Sequence, residues 1–208
     1  MDAIINMKKF LRNWTLLNAA FIVIGYILML LFGILMMEVT KISMSEWPSP
    51  FEQTIWQIGN AILFGSSIGF IQWRMLRKTY SISSSWIYLV PAGMVLTELV
   101  AGILLWKMGI NRGEFAFWEN NPIPHALIAT IYGLMIGLIQ FPTIRKHFVK
   151  GAFWILASTL AWGVSIIITA INVKNDIFLP ITFVLGILLY GLITGGALIW
   201  ILKPRSND

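Results

Sequence analysis

Apolar residues gather in six long runs, at roughly 14–37, 54–73, 86–106, 125–142, 151–171 and 178–202, with polar stretches between them. At about 1.5 Å of rise per helical residue each run can cross a hydrocarbon layer of about 30 Å, although 125–142 is short for the task. The pattern predicts an all-α protein, an integral membrane six-helix bundle that forms a single transmembrane domain over residues 1–208. The first run follows Lys8, Lys9 and Arg12, as in a signal peptide. It is too long for a signal h-region, and no small-x-small cleavage site follows, so it reads as the first span.

The polar positions inside these runs are not random. Gly65 to Lys78 reads GSSIGFIQWRMLRK, and 68 residues later Gly133 to Lys146 reads GLMIGLIQFPTIRK. Gly65, Gly69, Gln72, Arg77 and Lys78 meet their own kind in Gly133, Gly137, Gln140, Arg145 and Lys146, and Trp86-Ile87 matches Trp154-Ile155. Shared hydrophobicity does not align a glutamine and a basic pair, so the chain reads as internally repeated. A fainter copy sets Tyr190-Gly191 and Gly195 against Tyr132-Gly133 and Gly137, with Leu198 at the glutamine position and Lys203 at that of Arg145. Spans two, four and six are then one type of helix, spans three and five a second, and span one a diverged member of the second. Three two-helix units, permuted so that the last span pairs with the first, would form a pseudo-threefold bundle.

The spacing of Gly65, Gly69 and Gln72, like that of Gly133, Gly137 and Gln140, places each set on one helix face. Glycines four apart admit a neighbouring helix closely, and glutamine on the same stripe is expected to hydrogen-bond across the pair, for about 0.6–2 kcal/mol. Gly191 and Gly195 repeat the packing element. Arg77, Lys78, Arg145 and Lys146 are expected to anchor one end in anionic headgroups. A GxxxGxxQ…LR helix followed by a tryptophan that opens the next span resembles a group of uncharacterised bacterial multi-spanning membrane proteins. The resemblance covers roughly residues 60–165, with an echo in 186–203. It implies a multi-pass fold and brings no activity with it. Pro142 stands where the first copy has Arg74, so the copies are not equivalent.

Composition agrees with the pattern: 58% of residues are apolar, 12% are charged and mean hydropathy is +0.79, against about a quarter charged in soluble domains. The net charge of +6 does not point to nucleic acid, because the basic residues lie between runs instead of in one patch. It sets topology. Lys8, Lys9, Arg12, Arg74, Arg77, Lys78, Arg145, Lys146, Lys150, Lys203 and Arg205 fall on one side, against Lys41, Lys107, Arg112 and Lys174 on the other. Both termini are therefore expected to be cytoplasmic, in a multi-pass cell membrane protein. Seven tryptophans (Trp14, Trp56, Trp73, Trp86, Trp106, Trp154 and Trp200) lie near span ends, as headgroup belts require, and Trp162 lies well inside one. Segments 38–53 and 107–124, with Trp47, Phe51, Phe115, Phe117 and Trp118, also suit the headgroup layer.

Candidate chemistry is sparse. Glu98 lies 12 residues into the third span, where a charge costs about 2.5–3.5 kcal/mol. Asn60 falls at similar depth and His125 nearer the same outer surface, so the three form a candidate ligand or proton site, with a structural hydrogen bond as the competing reading. The repeat places Ile166 where Glu98 stands. Gly65-Ser66-Ser67-Ile68-Gly69 matches the nucleophile elbow G-x-S-x-G, but that motif needs a strand-turn-helix setting, and here it lies within an apolar helix. Only His125 and His147 could serve as a base, both at span ends, and there is no cysteine. No catalytic, metal or cofactor set is recognisable. The expectation is a non-enzymatic binding or accessory module for membrane lipid, a hydrophobic ligand, a partner membrane protein or a second copy of itself. The alternative is a small transporter or channel with a protonatable site at Glu98.

Overall fold

Each apolar run becomes one helix. The computed structural model describes residues 2–40, 50–80, 82–107, 122–148, 150–170 and 179–201. The helices are α1 (Asp2–Thr40), α2 (Pro50–Tyr80), α3 (Trp86–Lys107), α4 (Pro122–His147), α5 (Phe153–Ala170) and α6 (Leu179–Ile201). Trp47, Phe115, Phe117, Trp118 and the side chain of Phe51 lie outside the described residues.

Several helices overrun the apolar stretches that predict them, because backbone hydrogen bonds continue wherever propensity allows, whatever the side chains face. Arg74, Arg77 and Lys78 thus ride on the last turns of α2 and not on a loop. Helix α4 continues through Pro142 to His147, so the run judged short belongs to a helix of 26 residues. Tight turns follow. Trp86 N–H donates to Ser83 O (3.1 Å) ahead of α3, and Trp154 N–H donates to Gly151 O (3.0 Å) ahead of α5.

The helices form a closed ring in chain order, each packed on its predecessor and α1 packed on α6. One buried cluster takes Ile22, Phe64, Ile68, Val90, Met94, Ile136, Ala161, Ile187 and Tyr190, and so draws on every helix. A second joins Trp14, Leu76, Trp86, Ile144, Trp154 and Leu198. It combines the starts of α1, α3 and α5 with the ends of α2, α4 and α6, so consecutive helices run antiparallel. Lys8, Lys9, Arg12, Arg74, Arg77, Arg145, Lys146 and Lys150 are exposed near that same end.

The outer surface is apolar. Leu30, Leu31, Ile34 and Leu35 of α1 are exposed, as are Ile103, Leu127, Leu156 and Val184 elsewhere. Three helical stretches, Met7–Val39, Ala126–Lys146 and Ile181–Ile201, are long and apolar enough to cross a membrane.

Glycine lines every seam of the ring. A methyl group added at Gly65 would lie 2.6 Å from Pro91 Cα, and one at Gly69 would lie 2.5 Å from Ile87 O. The α4–α5 seam repeats this at Gly133, against Ser158 O, and at Gly137, 2.9 Å from Ile155 Cα. Gly25 meets Phe64 across α1–α2, Gly93 meets Ile136 across α3–α4, Gly186 meets Ser165 across α5–α6, and Gly191 meets Thr15 across α6–α1. Backbone contact of this kind is how helices associate where lipid removes the hydrophobic drive. Gly69→Ala or Gly137→Ala should cost about 1–3 kcal/mol through overpacking, read as a lower melting temperature in detergent. Gly196→Ala, next to Gly195 but with nothing within 4 Å, should be neutral or gain up to about 1 kcal/mol from helix propensity.

Candidate functional site

The buried polar groups divide into two sets, one at each end of the ring. At the basic end, Trp86 Nε1 donates to Gln72 Oε1 (3.3 Å) and Trp154 Nε1 donates to Gln140 Oε1 (2.7 Å). In both pairs the donor follows the acceptor by 14 residues, across one tight turn. Gln72 Nε2 donates onward to Asn18 Oδ1 (3.2 Å) and to the Tyr190 hydroxyl (3.0 Å), so it joins α1, α2, α3 and α6.

The third tryptophan corrects the alignment read from the sequence. Trp14 Nε1 donates to Thr194 Oγ1 (2.9 Å), which itself donates to Tyr190 O (2.7 Å). Thr194, not Leu198, is therefore the counterpart of Gln72 and Gln140, one helical turn earlier. Leu198 instead packs in the apolar layer with Leu76 and Ile144. Correspondingly, Gly191 meets Thr15 as Gly69 meets Ile87, while Gly195 meets the side chains of Trp14 and Leu11. Two glycines on a four-residue spacing fit either register in sequence; the indole's reach selects one.

The reading of tryptophans as a headgroup belt also needs correction. Trp14, Trp86 and Trp154 are 0–1% exposed, and their N–H groups serve interior acceptors. Trp86 and Trp154 lie 6.3 Å apart between ring centroids. With Leu76, Ile144 and Leu198 they close this end of the ring. Outside it, the Arg77 guanidinium sits 4.4 Å over the Trp73 ring and that of Arg145 sits 5.8 Å over Phe141, while Lys150 Nζ lies 4.4 Å from the Trp200 ring. Lys146 is exposed beside them, and the side chain of Lys78 lies outside the described residues.

At the opposite end the ring holds a cavity of about 270 Å³. Glu98 of α3 lines it together with Asn60 and Gln57 of α2, which share a helix face at a spacing of three. Its walls include Tyr26, Phe64, Tyr132 and Trp162. The rings touch in series. Tyr26 meets Phe64 at 5.0 Å, Phe64 meets Trp162 at 6.3 Å, and Tyr132 stacks on Trp162 at 6.0 Å. Asn60 Oδ1, Gln57 Oε1 and Trp162 Nε1 are buried and make no hydrogen bond among the described residues. A smaller void, about 40 Å³, continues from Phe64 and Trp162 to Tyr190, where the Gln72 network begins.

Glu98 and Asn60 thus share one cavity, and Ile166, which stands in the place of Glu98 in the repeat, lines it too. His125 lies on α4, but its side chain falls outside the described residues. Gln57 and Trp162 were not foreseen as site residues; the signal that could have found Trp162 is a lone tryptophan far from a span end. The elbow motif is plain helix, with Ser67 Oγ donating to Leu63 O (3.0 Å). The small polar residues Thr159, Ser165 and Thr169 bond back to carbonyls one turn earlier in the same way. Comparison with protein-family models, curated proteins and solved structures finds no match.

The two glutamines are not equal. Among the described residues Gln72 serves three partners, whereas Gln140 serves one and its Nε2 has none. Gln72→Leu orphans Trp86, Asn18 and Tyr190 groups at about 1–3 kcal/mol each for the buried members. Gln140→Leu orphans only the Trp154 N–H and removes an unsatisfied donor. The melting temperature should fall clearly further for Gln72→Leu, and equal losses would contradict this division of labour.

Proposed function

We propose that this protein is a six-span membrane bundle that binds a hydrophobic small molecule in the cavity beside Glu98 and catalyses no reaction. The observation that carries this reading is the cavity, an aromatic chamber with a few convergent polar groups at one end of the ring. Exposed leucine and isoleucine around the bundle suit lipid as its immediate surroundings. Two buried amide oxygens beside the cavity, Gln57 Oε1 and Asn60 Oδ1, that make no hydrogen bond among the described residues suit a site whose partner is a ligand.

The architecture we infer is three repeated two-helix units about a pseudo-threefold axis, with α6 and α1 forming the permuted unit. Its support is the set of corresponding contacts: Trp86 on Gln72, Trp154 on Gln140 and Trp14 on Thr194. Leu76, Ile144 and Leu198 form the matching apolar layer. The basic residues at the tryptophan end support a reading in which that end, with both termini, faces the cytoplasm. From Trp14, Tyr26 lies 12 residues along α1, or about 18 Å, which under this reading corresponds to a cavity just beyond the midplane toward the outer face.

The presence of a carboxylate in the chamber favours a second reading, a small transporter centred on Glu98. The closed tryptophan layer favours binding without passage, because a substrate would have to displace three buried indoles. Proton-coupled solute flux in liposomes that is lost on Glu98→Gln, with the melting temperature held, would favour transport.

The native chain lacks cysteine, so single introduced thiols report topology cleanly. Ser84→Cys, on the turn before α3, should react with a membrane-impermeant maleimide only after permeabilisation, and Glu38→Cys should react in intact cells. The reverse pattern would invert the assignment. For the cavity, tert-butylbenzene or another compact aromatic ligand should raise the melting temperature of the protein in nanodiscs. Ala129→Phe, which fills the chamber from α4, should abolish the rise. If no aromatic ligand, neutral or charged, raises it, the chamber is not a binding site.

A further inference from the structure

We propose that the ligand is an amphipathic organic cation, an aromatic or alkyl ammonium, and that Glu98 is its counter-charge. This rests on the reading of the cavity as a ligand site and adds the chemical class. Two observations lead to it. The cavity brings the Glu98 carboxyl together with the amide groups of Gln57 and Asn60, whose Oε1 and Oδ1 are buried acceptors that make no hydrogen bond among the described residues. Amide oxygens accept and do not donate, so these two call for a ligand that brings N–H donors or positive charge, and the carboxyl beside them adds a site of negative charge. The remaining wall carries Tyr26, Phe64, Tyr132 and Trp162, and aromatic faces attract cations, tryptophan most strongly.

The other ligand classes fit less of the site. An anion meets the Glu98 charge at close range. A neutral hydrocarbon uses the rings and leaves the Gln57 and Asn60 oxygens unserved. A bare metal ion gathers a shell of six or more oxygens when it is calcium, and it leaves most of the chamber empty. A cavity of about 150 Å³ accommodates benzene, so about 270 Å³ suits a ligand of roughly ten non-hydrogen atoms. An arylammonium of that size places its charge between the carboxylate and the rings.

Phenyltrimethylammonium and tert-butylbenzene have the same shape and differ in charge. Isothermal titration of each into the full chain, held in phosphatidylcholine nanodiscs, decides the matter. The cation should bind at least about tenfold more tightly than its neutral isostere. Glu98→Gln should remove that preference. Glu38→Gln, an exposed acid on α1 that does not line the cavity, should not alter it. Equal affinity of the two ligands for the native chain overturns the cation assignment while the chamber remains a hydrophobic site. So does a cation affinity unmoved by Glu98→Gln. Failure of both ligands to bind brings down the binding reading itself. The two-ligand comparison on the native chain stands even where a variant does not fold.

Discussion

Close backbone approach at glycine is the constraint on which the rest of the structure depends. At Gly69 and Gly137 the facing helix lies so near that a single methyl group would enter the van der Waals space of a backbone atom. That nearness brings the indole of Trp86 within hydrogen-bonding range of Gln72, and that of Trp154 within range of Gln140. The order of cause matters. The hydrogen bonds are modest in free energy, and in an apolar medium their main effect is to make other packings costly by orphaning polar groups. Glycine sets how near the helices come, and the indole–amide pair then fixes their register.

The same physics gives the bundle a polarity along its length. At the tryptophan end Gln72 uses both amide protons and its oxygen, and Thr194 receives Trp14 while donating to its own helix; Gln140 accepts from Trp154 but its Nε2 meets no acceptor among the described residues. At the other end Gln57 and Asn60 each keep a buried oxygen that makes no hydrogen bond among the described residues, beside a chamber that side chains do not fill. An end tied by indole–amide bonds resists deformation. Unserved oxygens beside an open chamber have a standing free-energy cost that a ligand of matching chemistry relieves. Rigidity and binding are thus assigned to opposite ends of the same helices.

In the proposed threefold arrangement, departures from symmetry concentrate at the chamber. Tyr26, Glu98 and Ile166 occupy corresponding depths on α1, α3 and α5, and all three line it. A phenol, a carboxyl and an aliphatic side chain give the three sides of one site different chemistry. Near the tryptophan end tryptophan stands in all three units and branched aliphatics at Leu76, Ile144 and Leu198, while the indole acceptor changes from glutamine to Thr194 in one of them.

The number of helices, their places in the chain and the duplicated glycine–glutamine stripe follow from the sequence alone, because helical length and spacing are local properties. Glu98 and Asn60 could be matched in depth by counting turns, for the same reason. What the tertiary structure decided is which faces meet. Gly191 and Gly195 admit two registers, and only the reach of Trp14 to Thr194 selects between them. A tryptophan at a span end can face headgroups or turn inward, and the ring turns Trp14, Trp86 and Trp154 inward, where glutamine and threonine need a donor. Gln57 and Trp162 join Glu98 only because α2, α3 and α5 converge on one void, and a void belongs to the closed ring and to no single helix.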